Sequence, residues 1–82
     1  MTSGTGSPKE DGDEHFRQGL MLSRRGLWRE AIAAYKASLR VDPDNARTYL
    51  NLGFVYYELG YDREAQDAFD TATKLQTRFC AR

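Results

Sequence analysis

Residues 48–69 read "TYLNLGFVYYELGYDREAQDAF", and the two glycines in this stretch do different jobs. Tyr49, Leu52, Gly53 and Tyr56 recur at helical spacing before Gly60, and Ala65, Ala68 and Phe69 resume it afterwards. Gly60 therefore reads as the break between two helices, and Gly53, inside a helix, as a point of close packing. Sliding the chain by 34 residues returns the same text. Gly19 falls on Gly53, Gly26 on Gly60, Arg29 on Arg63, Glu30 on Glu64, Ala31 on Ala65 and Ala34 on Ala68. Apolar character is kept between Phe16 and Leu50, Leu20 and Phe54, Met21 and Val55, Leu22 and Tyr56, Leu27 and Tyr61, Tyr35 and Phe69, and Val41 and Leu75. No gap is needed, so two copies of one unit fill residues 12–79, as 12–45 and 46–79.

Each unit reads as two helices. In the first copy Phe16, Leu20, Met21 and Leu22 precede a basic turn, Arg24-Arg25, and Gly26 takes the place of a left-handed cap. A second helix carries Leu27, Ala31, Ala34, Tyr35, Ser38, Leu39 and Val41 and ends before Asp42-Pro43, because proline drives the residue before it out of helical geometry. Asp44 or Asn45 can cap the third helix, expected from about Ala46 to Leu59, and Asp62 is the cap expected for the fourth. Residues 1–11 hold no aromatic or aliphatic side chain after Met1, so they read as a disordered tail, and 80–82 as a frayed end.

A chain of 82 residues makes one small domain, for which a single core supplies about 3 to 5 kcal/mol. Cys80 is the sole cysteine, which excludes an internal disulfide and points to a reducing, cytoplasmic setting. Twelve basic and twelve acidic side chains balance, leaving no long-range pull toward nucleic acid or anionic lipid. The apolar runs are too short to span a bilayer.

The 34-residue period, paired helices and punctuation resemble the tetratricopeptide repeat. Its pattern, W-x2-L-G-x2-Y, then A-x3-F, then P, is met by Tyr49, Leu52, Gly53, Tyr56, Ala65 and Phe69. In the first copy Gly19, Leu22, Ala31, Tyr35 and Pro43 agree, while His15 and Gln18 replace the opening aromatic and leucine. The resemblance implies an all-α fold, two tandem helix-turn-helix repeats making four antiparallel helices in a short right-handed superhelix. The small residues Gly19, Gly53, Ala31 and Ala65 then let paired helices approach while Tyr35 and Phe69 fill the adjoining space.

Chemistry is sparse. His15, the only histidine, stands at a packing position, and Cys80 sits at the chain end beside Arg78 and Arg82. No metal-ligand cluster, cofactor motif or phosphate-binding glycine loop is present, which argues against an enzyme.

Binding is the expected role. The resemblance implies that the first helix of each repeat lines a concave groove that takes a protein or peptide. Carried over, the groove positions are Asp13, Phe16, Arg17, Leu20, Ser23 and Arg24, then Arg47, Leu50, Asn51, Phe54, Tyr57 and Glu58. Apolar anchors among arginines and an asparagine suit an extended segment; the same apolar positions also fit the edge of a shallow core. The carboxylate clamp of one subclass is not met, because Phe16 and Leu20 stand at its first Lys and Asn and only Asn51 matches.

Charge offers a second role. Residues 15–41 carry Arg17, Arg24, Arg25, Arg29, Lys36 and Arg40 against Glu30 alone. Residues 42–75 carry seven acidic groups against Arg47, Arg63 and Lys74. Opposite halves can pair within the chain or between copies, giving a homo-oligomer.

The two copies also differ at their outer faces. Ile32 and Leu39 are expected to face the second repeat, where full burial is worth about 1.5 to 3 kcal/mol each. Their counterparts Gln66 and Thr73 are polar, and at the front Glu14 and Arg25 stand where Thr48 and Leu59 do later. Such ends read as those of a two-repeat unit, with the last helix free to run toward Phe79 because Thr77 replaces the proline.

Overall fold

The computed structural model describes the backbone of residues 8–80 and the side chains of residues 12–76. Four helices follow in order: α1 (Pro8–Arg24), α2 (Trp28–Val41), α3 (Ala46–Glu58) and α4 (Asp62–Cys80). The pairs α1–α2 and α3–α4 pack most extensively, α2 lies on α3, and α1 touches α3 lightly. Two helical hairpins thus stack side by side.

Glycine ends both first helices. Gly26 and Gly60 have φ of 77° and 81°, a left-handed conformation that glycine enters without a Cβ clash. Around Gly26, the Leu27 amide donates to Leu22 O at 3.0 Å and the Gly26 amide to Ser23 O at 3.0 Å. Around Gly60, Tyr61 donates to Tyr56 O at 2.9 Å and Gly60 to Tyr57 O at 3.0 Å. These are Schellman pairs, satisfying carbonyls that a helix end leaves bare. In the second the accompanying side-chain contact is aromatic, Tyr56 to Tyr61 at 6.2 Å between ring centres.

Asn45 is the cap of α3, its side chain accepting from the Thr48 amide at 3.2 Å. At α4 the reading of Asp62 as cap is corrected: the Ala65 amide donates to Tyr61 O at 2.9 Å, which makes Tyr61 the flanking residue and Asp62 the first helical one. There Asp62 and Glu64 still favour the positive end of the helix dipole. Helix α1 begins at Pro8, four residues inside the segment read as a tail; residues 1–7, and the side chains of Arg78, Phe79, Cys80 and Arg82, lie outside those described.

The core explains the small residues. A Cβ added at Gly19 would stand 2.5 Å from the Tyr35 ring, and one at Gly53 would stand 2.6 Å from the Phe69 ring. Each second helix therefore lays one aromatic flat on a glycine of the first. Ala31 and Ala65 are buried beside them, and Phe16, Tyr35, Leu52 and Val55 join the two hairpins.

The seam between repeats is apolar with a polar centre. Ile32, Leu39 and Leu59 pack against that cluster, but Ile32 and Leu39 are half-buried, so their contribution falls below the full-burial figure. Ser38, fully buried, donates to Gly12 O at 2.9 Å and stands 3.4 Å from the Thr48 hydroxyl. Glu14 and Arg25 on one outer face, and Gln66 and Thr73 on the other, are exposed.

Candidate functional site

Because α2 wedges against α3 while α1 barely reaches it, a cleft opens between α1 and α3. It holds two hollows of about 250 Å³ each. Asp13, Phe16, Arg17 and Leu20 of α1 face Asn45 and Arg47 across the first. Ser23 and Arg24, at the end of α1, face Asn51, Phe54, Val55 and Glu58 of α3 across the second.

The expected groove residues divide between these two hollows, except Leu50 and Tyr57, which line neither. Phe16 lines the first hollow from the core side: it is 7% exposed, 5.9 Å from the Tyr35 ring, and covered by the Arg47 guanidinium 5.1 Å from its centre. Leu20 is half-buried. By contrast Phe54 and Tyr57 are 54% and 64% exposed, and Leu50 is exposed beside them on the same face of α3. Phe54 is steadied from behind, edge-on to Phe69 at 5.5 Å. Asn51 donates through Nδ2 to Arg47 O at 2.8 Å, leaving its carbonyl oxygen and one N–H for another partner. Leu50 and Tyr57 flank the hollows without lining them.

Three side chains of the second hollow, Trp28, Tyr35 and Val55, were not expected there. Trp28, the first residue of α2, forms a wall, and Tyr35 lines it from within the core. The Tyr35 hydroxyl is buried without a hydrogen-bond partner among the described residues, a condition that ordinarily costs about 1 to 3 kcal/mol. Burial raises its pKa above 10.0; Ser23 and Arg24 nearby pull the other way and offset only part of the lost hydration. The Ser23 hydroxyl donates to Leu20 O at 2.9 Å, and its oxygen still faces Tyr35 as an acceptor. The only hint in the sequence is that Phe69, at the equivalent position, has no hydroxyl at all.

A third hollow, of about 220 Å³, lies on another face of α3, where Tyr49, Leu52 and Tyr56 meet Glu64, Asp67 and Ala68 of α4. Among the described residues no group of three or more His, Cys, Asp or Glu side chains could hold a metal ion. No helix there is long and apolar enough to cross a membrane. His15 is half-buried on α1.

Comparison with known proteins agrees with the all-α repeat fold. A family model described as TPR repeat matches residues 19–60, and another, described as tetratricopeptide repeat, matches residues 46–78. Two uncharacterized TPR repeat-containing proteins of Arabidopsis thaliana are 30% identical over 66 residues, 80% of this chain and 8% of each relative. Protein O-mannosyl-transferase TMTC1 of Mus musculus is 29% identical over 68 residues, 83% of this chain and 7% of that protein. The chain thus spans less than a tenth of the curated relatives it matches. The crystal structure of MamA superposes with a TM-score of 0.83 at 25% identity, over 87% of this chain and 42% of that one.

Proposed function

The chain belongs to the tetratricopeptide repeat family, and from that premise we propose that it is a non-catalytic adaptor holding a segment of a partner protein in the cleft between α1 and α3. The family makes protein–protein interaction modules, and the fold here is an all-α helical repeat. One observation carries the finer reading: Leu50, Phe54 and Tyr57 stand exposed along one face of α3, against hollows edged by Arg17, Arg24, Arg47 and Asn51. Rigid aromatics among directional polar groups make an interface rich in binding energy. The transferase activity in the name of the mouse relative is not carried over, since the match spans 7% of that protein. A lone cysteine supports a cytoplasmic setting. Tyr57→Ala tests the adaptor reading: it keeps the melting temperature and loses binding to a peptide that the unaltered chain selects from a random library. Equal binding by the variant defeats the groove assignment.

The second reading is self-association. It is favoured by the charge division between a basic first repeat and an acidic second one, which suits contact between copies through opposite halves.

A further inference from the structure

Phe69 shows what its position in the repeat requires. Its ring lies on Gly53 as the Tyr35 ring lies on Gly19, and it packs there with no polar atom. The Tyr35 hydroxyl is thus surplus to packing, yet it is buried and unpartnered among the described residues, in a side chain of 0% exposure. Its ring passes over α1 at Gly19, and the hydroxyl lies buried near Ser23 and Arg24, beneath the second hollow of the cleft.

We infer that this hollow is a subsite for an acidic side chain of the partner segment, with the Tyr35 hydroxyl donating to the carboxylate and Arg24 supplying the charge. The inference rests on the groove reading above and sharpens it. A hollow of about 250 Å³ holds a side chain, and its available donors outnumber its acceptors. Tyr35 O–H makes no hydrogen bond among the described residues and has only the Ser23 oxygen as a nearby competitor, Asn51 keeps one free N–H, and Arg24 presents a guanidinium. Glu58 is the one opposing charge on the lining, and farther along the cleft Arg17 and Arg47 face only Asp13. Phe54 and Trp28 shield the hollow, which strengthens a hydrogen bond made there. Burial also keeps the phenol protonated, and so a donor, at neutral pH.

The experiment uses the 82-residue chain and an array of peptides blocked at both ends, with randomised flanks and a fixed central Glu, Gln or Leu. With the ends blocked and Asp and Glu left out of the flanks, the central side chain is the only carboxylate in the Gln-against-Glu comparison. The expected order is Glu above Gln above Leu. Tyr35→Phe weakens both Glu and Gln peptides about threefold to tenfold, the span of one hydrogen bond, whereas Arg24→Ala brings Glu down to Gln. The melting temperature of Tyr35→Phe equals or exceeds that of the unaltered chain. Unchanged Glu and Gln binding by Tyr35→Phe overturns the subsite, as does a marked fall in its melting temperature, which would mean that the hydroxyl has an internal partner. The groove reading fails separately, and takes the subsite with it, when no peptide binds or when Tyr57→Ala binds as the unaltered chain does.

Discussion

The guanidinium of Arg47 stands 5.1 Å from the centre of the Phe16 ring, so the first helix of the second repeat grips the first helix of the first. The contact crosses the cleft at the place where α1 and α3 otherwise hardly meet. It bears on both the stability of the stack and the width of the groove.

Arg47→Ala should therefore lower stability by about 0.5 to 1 kcal/mol, the value of a cation–π pair whose cation stays in solvent, as Arg47 does. Urea unfolding of Arg47→Ala, Phe16→Leu and the double variant checks it, the coupling between the two being the quantity of interest. A coupling of zero would show that the stacked geometry contributes nothing.

The glycines predict two kinds of damage. Gly53→Ala drives a methyl group to 2.6 Å from the Phe69 ring, and Ala65→Leu overfills the same crossing. Each should cost about 1 to 3 kcal/mol, which in a domain of this size lowers the melting temperature by roughly 4 to 8 °C per kcal/mol. Gly60→Ala meets no atom within 4 Å but must hold φ at 81°; its cost of about 1 to 2 kcal/mol comes from backbone strain alone. Calorimetry separates them: truncating Phe69 to Leu should relieve Gly53→Ala and leave Gly60→Ala as it was.

Stability at high pH should report on Tyr35. Because its pKa is raised on folding, the folded chain holds this proton at a pH where the unfolded chain has released it. The contribution is intact below the ordinary phenol value of 10.0 and is lost as pH rises through the folded-state value. Chemical denaturation from neutral pH into this range should show the unaltered chain losing stability more steeply than Tyr35→Phe. Parallel curves would mean that the phenol is no less hydrated in the folded state.

Self-association has its own signature. If the basic and acidic repeats of different copies meet, sedimentation should show a mass that rises with concentration and falls toward the monomer as salt is added. A monomer at every concentration and salt removes that reading and leaves the adaptor one untouched.

The sequence made the skeleton readable because the repeat was tested against itself. Gly26 and Gly60, the break at Asp42-Pro43 and the Asn45 cap are local signals, each settled within a turn or two of backbone. That small residues let the helices approach while Tyr35 and Phe69 fill the adjoining space followed from the family pattern; that Tyr35 lies on Gly19 and Phe69 on Gly53 is what the structure adds. What escaped notice depends on the neighbouring repeat. A period of 34 places Phe16 and Leu50 at one position, yet Phe16 lies beneath Arg47 in the core while Leu50 stands in solvent. Trp28 was overlooked because the first residue of a second helix carries no pattern weight; only the stacking of α3 turns it into a wall. Asp62 was misread as a cap because its side chain suits that role, whereas the Schellman turn at Gly60 had already fixed Tyr61 as the flanking residue.

The Ser38 hydroxyl acts as an angular lock on the stack. Its bond to Gly12 O lies within the first hairpin and fixes the hydroxyl in place; turning one hairpin against the other would separate it from the Thr48 hydroxyl and strand a polar group in the seam. Its counterpart in the second repeat is Ala72, buried and without a hydrogen-bonding group on its side chain. A helix docking on the outer side of α4 would find no such lock and would be oriented by shape alone. The pitch between these two repeats is therefore written into the chain, while that of any later neighbour is left to the neighbour.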